Sequence, residues 1–134
     1  MLQKFIWWTG LLDFLVGAGT WAGAAAIAMA PEPVKAQFVP LITLGTFLMM
    51  AAALLMWSSH DMPNRAPVFF WQGLVRLSAV SAVIYAVPNQ LAETWEYALV
   101  GFDGPIGLIY VIAAMKVTGC SFWQLMACKT TSTA

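Results

Sequence analysis

The chain has 134 residues, of which 61% are apolar and 9% charged, and its six basic and six acidic side chains give no net charge. Soluble domains carry about 25% charged residues, so this composition excludes most soluble globular classes. No basic patch is available to bind nucleic acid. We therefore expect a single-domain, all-α integral membrane protein surrounded by the lipid bilayer.

Four long apolar runs predict a bundle of four membrane-spanning helices. They cover about residues 5–30, 38–57, 66–87 and 104–127. A run of about 20 residues, with a rise of about 1.5 Å per residue, crosses a hydrocarbon core of roughly 30 Å. The third run has Pro67 in its first turn and stops at Pro88. The fourth is predicted to begin with Asp103 as its N-cap and Pro105 in its first turn.

The longest connection, residues 88–103, joins the third and fourth runs. Leu91, Trp95, Leu99 and Phe102 recur in it at steps of three and four residues. This spacing predicts a short amphipathic helix at the outer membrane interface. An ordered loop that caps the bundle is the alternative.

The basic residues outside the spans predict the orientation. Lys4, Arg65 and Lys129 lie on the side that holds both termini, and Lys35 is alone on the opposite side. The positive-inside rule then predicts cytoplasmic N- and C-termini. We expect a multi-pass protein of the inner (plasma) membrane.

Asp13 and Arg76 are charged residues inside the predicted spans. They lie about 12 and 15 Å from the cytoplasmic ends of their helices, which is nearly one level. A charge near the bilayer centre costs at least about 2.5–3.5 kcal/mol and therefore tends to face the bundle interior and find a partner. The sequence predicts an Asp13–Arg76 ion pair, with Gln72 one turn away from Arg76.

Lys116 has two alternative placements. If the fourth helix runs to Ala127, Lys116 lies about 18 Å from the cytoplasmic end and joins the pair in a three-member polar centre. If the hydrocarbon ends near Ser121, the lysine stem reaches out to the headgroups instead.

Small residues on the first helix predict close helix packing. Gly19 and Gly23 have the four-residue spacing that lets a neighbouring helix approach. We expect them to pack within the bundle rather than to form a dimer face.

Residues that would carry an enzymatic reaction are scarce. His60 is the single histidine, which excludes a bis-histidine haem within this chain, and no set of zinc ligands is clustered. We therefore do not expect an enzyme that acts alone. The sequence implies no cofactor, although a quinone or a lipid between the helices is compatible with it.

The chain resembles the DoxX-like membrane proteins, small four-helix bacterial proteins that include a subunit associated with membrane quinone reduction. The parallels are a glycine-rich first helix, a short charged connection and an arginine in the third helix: Gly10, Gly17 and Gly19, residues 60–65, and Gly73-Leu74-Val75-Arg76. The resemblance implies a four-helix fold.

These observations predict a small membrane binding or accessory subunit, organised by the Asp13–Arg76 pair, with a protein partner or a second copy of itself. The pair either only holds the helices in register or also binds a ligand. One alternative is a proton- or ion-coupled carrier that uses Asp13, similar to the small multidrug resistance transporters. Those transporters normally carry Glu at this place and lack a basic partner like Arg76. A second alternative is a redox-complex subunit that binds quinone or pigment.

Overall fold

The computed structural model describes residues 1–29 and 34–130, and this part of the chain is helical, with no strand. The predicted all-α class is confirmed. In these described ranges, five α-helices and two 3₁₀ turns follow one another: α1 (Leu2–Ile27), a turn at Val34–Gln37, α2 (Phe38–Ser58), α3 (Met62–Ala86), a turn at Thr94–Glu96, α4 (Tyr97–Thr118) and α5 (Phe122–Met126).

Within the described residues, four segments are long and apolar enough to cross a membrane: Leu2–Ile27, Phe38–Ser58, Met62–Ala86 and Thr94–Thr118. The predicted number of such helices is confirmed. The first helix ends at Ile27, and residue 30 of the predicted run lies outside the described residues. The third helix begins earlier than predicted, at Met62, because Pro63 fits the first turn of a helix, where its missing N–H costs least.

The fourth helix differs most from the predicted residues 104–127. It begins at Tyr97, so Asp103 is not an N-cap and Pro105 lies inside the helix. The prediction took Pro105 as a first-turn proline, but the helix tolerates the loss of one backbone hydrogen bond at this position.

The same helix also ends earlier than predicted. Gly119 takes the left-handed conformation, with φ of 69°, and terminates α4 after Thr118. Ser121 then starts α5, because its side chain accepts a hydrogen bond from the backbone N–H of Gln124. The predicted single run to Ala127 is thus two helices.

The separate amphipathic helix predicted within residues 88–103 is not confirmed. Glu93 and Glu96 form a capping box around the 3₁₀ turn, and Tyr97 onward belongs to α4. The apolar stripe is therefore divided among a loop, a turn and the start of a long helix. Its large members are exposed: Leu91, Trp95, Leu99 and Phe102.

The chain divides into two compact units, Met1–His60 and Asp61–Ala134. The first unit is the hairpin of α1 and α2, and its core is a close approach of two backbones. A Cβ added to Gly17 would lie 2.9 Å from the carbonyl oxygen of Gly45, and one added to Gly45 would lie 2.8 Å from that of Gly17. Only glycine allows two helices to come this close, because it has no Cβ.

The second unit contains the hairpin of α3 and α4, which has the same kind of contact. A Cβ added to Gly73 would lie 2.8 Å from the carbonyl oxygen of Gly107, and the reverse distance is 2.9 Å. Beside this crossing, the rings of Phe69 and Tyr110 meet edge to face at 6.5 Å. The two side chains are fully buried.

The predicted packing of Gly19 and Gly23 within the bundle is not found in the first hairpin. Both glycines are exposed, and an added Cβ would meet no atom of the described chain within 4 Å. The correction follows from helix geometry, because the face of α1 that packs on α2 carries Gly10 and Gly17 instead.

Candidate functional site

The candidate site is an ion pair between α3 and α4. Arg76 lies in the middle of α3 and is only 8% exposed. Its guanidinium Nη1 donates a hydrogen bond to Oδ1 of Asp103 on α4. The Asp103 side chain is 18% exposed, so both charges are largely removed from the surroundings of the protein.

The glycine crossing explains why these two residues meet. Gly73 precedes Arg76 by three residues, and Asp103 precedes Gly107 by four. Because the helices are antiparallel, one turn after Gly73 on α3 lies at the same level as one turn before Gly107 on α4. The close backbones then bring a long arginine and a short aspartate into hydrogen-bond distance.

Two further residues of α4 lie beside the Arg76 side chain. Its Cζ atom lies 6.0 Å from the centroid of the buried Tyr110 ring, which is at the outer limit of a cation–π contact. A Cβ added to Gly107 would lie 3.3 Å from the Cβ of Arg76. The absence of a side chain at Gly107 therefore makes room for Arg76.

The predicted partner of Arg76 lies in the other unit. Asp13 is half-buried on α1, on the helix face that includes Gly10 and Gly17. The Asp13–Arg76 pair would join the two units, and it stays a prediction. Gln72 is half-buried on α3, one turn before Arg76.

Lys116 lies apart from this centre. It is in the last turn of α4, which ends at Thr118, and it is exposed. Along the helix, Lys116 is about 9 Å from Tyr110, whose ring lies beside the guanidinium. The three-member polar centre required a helix that continues to Ala127, and this condition is not met.

Sequence reasoning missed Asp103 as a site residue because it assigned this aspartate to the cap of a helix. The signal that could have identified it is a repeated spacing. Asp13 precedes Gly17 by four residues, and Asp103 precedes Gly107 by four. In both helices an acid thus lies one turn before the glycine at which the backbones meet.

Comparisons with known proteins provide no family for this chain. It matches no protein-family model, no curated protein and no solved structure. The resemblance to the DoxX-like proteins stays a prediction.

Proposed function

We propose that the chain is a multi-pass membrane protein that acts as a small binding or accessory subunit. The apolar surface supports the membrane location. In the most apolar part of α1 and of α2, only 17% of the residues are buried, and in the other two spans 28% are. The outward residues include large side chains such as Trp21, Phe47 and Ile112. Helices that are apolar on all sides suit lipid rather than water.

The proposed orientation follows from the basic residues. Lys4 and Lys129 are exposed and Arg65 is half-buried, and all three are near helix ends that we assign to the cytoplasm. Lys116 is exposed in the last turn of α4, where a lysine stem reaches the headgroups at the same side. The inner membrane is the proposed location.

The Arg76–Asp103 pair is the observation that carries the accessory role. Each charge has its opposite within the same hairpin, so the pair holds α3 against α4 in a fixed register, without requiring an ion or a substrate to complete it. We infer a structural centre for a subunit that binds a partner through its outer faces. That partner is another membrane protein or a second copy of the chain.

Mild-detergent purification from native membranes tests this function. We expect the chain to co-purify with a stoichiometric amount of a defined polypeptide, or to run as a homo-oligomer. A co-purifying quinone or visible chromophore would instead support a redox subunit. Uptake into proteoliposomes that depends on a proton gradient, and that Asp13→Asn abolishes in a folded protein, would contradict the accessory role in favour of a carrier.

A further inference from the structure

The first unit has a pocket at the end of its hairpin where α1 begins and α2 finishes. The pocket has a volume of about 430 Å³, and its lining is Gln3, Lys4, Trp7, Trp8, Ser59 and His60. This volume is within the range of about 300–1,000 Å³ that is usual for small-ligand sites.

The lining is suited to an anion. The lining residues include Lys4, His60 and Gln3, whose side chains carry hydrogen-bond donors, and none of the lining residues carries a carboxylate.

The end of α2 lies at the same place and would by itself oppose an anion, because a helix C-terminus favours positive charge. Three of the carbonyl groups near this end accept hydrogen bonds from within it. The hydroxyls of Ser58 and Ser59 donate to the carbonyl oxygens of Leu55 and Met56. The backbone N–H of His60 donates to the carbonyl of Trp57. The charge preference of the pocket is therefore attributed to Lys4 and His60 in its lining.

The two tryptophans indicate where the ligand comes from. Trp7 and Trp8 pack edge to face, with ring centroids 5.0 Å apart, and Trp8 is exposed. Tryptophan is enriched at the headgroup level of membranes, since its ring is apolar and its N–H is polar. An anion bound between these rings and Lys4 would be part of a molecule that is already in the membrane.

We propose that this pocket binds the phosphate of an anionic phospholipid, with Lys4 and His60 holding the phosphate oxygens and Trp7 and Trp8 packing beside the glycerol and upper acyl chains. The inference rests on the proposed membrane location. It assigns to the first hairpin a ligand site separate from the Arg76–Asp103 pair.

Lipid selectivity of the full chain tests the proposal. The protein in a zwitterionic detergent is titrated with phosphatidylglycerol and with phosphatidylcholine, and bound lipid is counted by native mass spectrometry. Wild type should prefer phosphatidylglycerol. Lys4→Gln should weaken its binding by about 10-fold, the usual effect of losing one charge-assisted hydrogen bond. His60→Gln should weaken it further in the double variant.

Two control variants separate the pocket from general surface charge. Lys129→Gln removes an exposed lysine that does not line the pocket, and it should keep the wild-type preference. Lys4→Arg keeps the charge and should also bind phosphatidylglycerol. Equal preference in wild type and in the Lys4→Gln, His60→Gln double variant would overturn the proposal, and so would an equal loss in Lys129→Gln.

Inorganic phosphate and membrane extraction complete the test. Millimolar phosphate that displaces phosphatidylglycerol from wild type supports recognition of the phosphate group itself, and retention of the lipid against phosphate supports recognition of the whole headgroup. Resistance of the expressed protein to alkaline carbonate extraction reports membrane insertion independently of lipid type. A protein that is inserted but lacks lipid preference would refute this site and leave the proposed membrane location standing.

Discussion

Each of the two hairpins has the same kind of backbone contact inside it, and the hairpins differ in the residue that lies one turn away from this contact. In both, a glycine of one helix meets a glycine of the next. An aspartate lies four residues before one of these glycines, Asp13 before Gly17 in the first hairpin and Asp103 before Gly107 in the second. A Cβ added to Gly107 would approach the Cβ of Arg76, whereas one added to Gly17 would approach the Cβ of Leu48. At equivalent positions the second hairpin thus has a cation and the first has an apolar side chain.

This difference shows how a small helical protein can use one packing solution for two purposes. A glycine crossing holds both hairpins together through close backbone contact. In the second hairpin, the same crossing also places opposite charges at one level, where both side chains are largely buried. The first hairpin has two basic residues, Lys4 and His60, in the lining of the pocket at one of its ends.

Of the substitutions considered, removal of the cation should lower the free energy of unfolding most. Arg76→Leu leaves Asp103 without its hydrogen-bond donor on α3, and breaking a buried ion pair costs about 3–5 kcal/mol. Because Asp103 retains some exposure, we expect a loss near the lower limit. Unfolding by SDS in mixed micelles measures it. A loss below about 1 kcal/mol would contradict a structural role for the pair.

Substitutions at the glycine crossings should cause the next largest loss in the free energy of unfolding. Gly17→Ala and Gly73→Ala each insert a methyl group within 3 Å of a backbone oxygen, and such overpacking costs about 1–3 kcal/mol. Gly19→Ala is the matched control on an open face, where alanine should be neutral or slightly stabilising. Equal effects of Gly17→Ala and Gly19→Ala on the free energy of unfolding would contradict the crossing in the first hairpin.

The predicted Asp13–Arg76 pair is a way to ask whether the two hairpins share a charge. We expect Asp13→Asn and Arg76→Leu to be non-additive, with a coupling of about 1 kcal/mol, because residues in one ion-pair network usually couple by 0.5–3 kcal/mol. A double-mutant cycle in micelles measures it. Additive effects would remove Asp13 from the centre and leave the Arg76–Asp103 pair complete within its own hairpin.

The smallest effect is expected at Lys116. This lysine is exposed in the last turn of α4, so Lys116→Gln should change the free energy of unfolding by less than about 0.5 kcal/mol. The same titration in micelles provides the measurement. A loss comparable to that of Arg76→Leu would place Lys116 in the polar centre after all.

The sequence was sufficient to predict the number of long apolar helices and insufficient to predict how they pair. Composition and proline positions predicted four apolar helices because lipid-facing segments need about 20 apolar residues whatever they pack against. The predicted start of α4 was wrong because the local sequence around Pro105 does not distinguish a proline in the first turn from a proline inside a helix. That error moved Asp103 into a loop and hid it as a partner of Arg76. Depth along a helix is readable from one sequence, but the face that meets a neighbour depends on tertiary packing.

A double-mutant cycle on Arg76 and Asp103 tests most directly whether their ion pair organises the second hairpin. Arg76→Leu, Asp103→Leu and the double variant are unfolded in mixed micelles, in the wild-type and in the Asp13→Asn background. We predict that the double variant is more stable than the sum of the single losses implies, by about 1–3 kcal/mol, and that this coupling persists without Asp13. Additive single losses, within about 0.5 kcal/mol, would contradict an ion pair that organises the second hairpin.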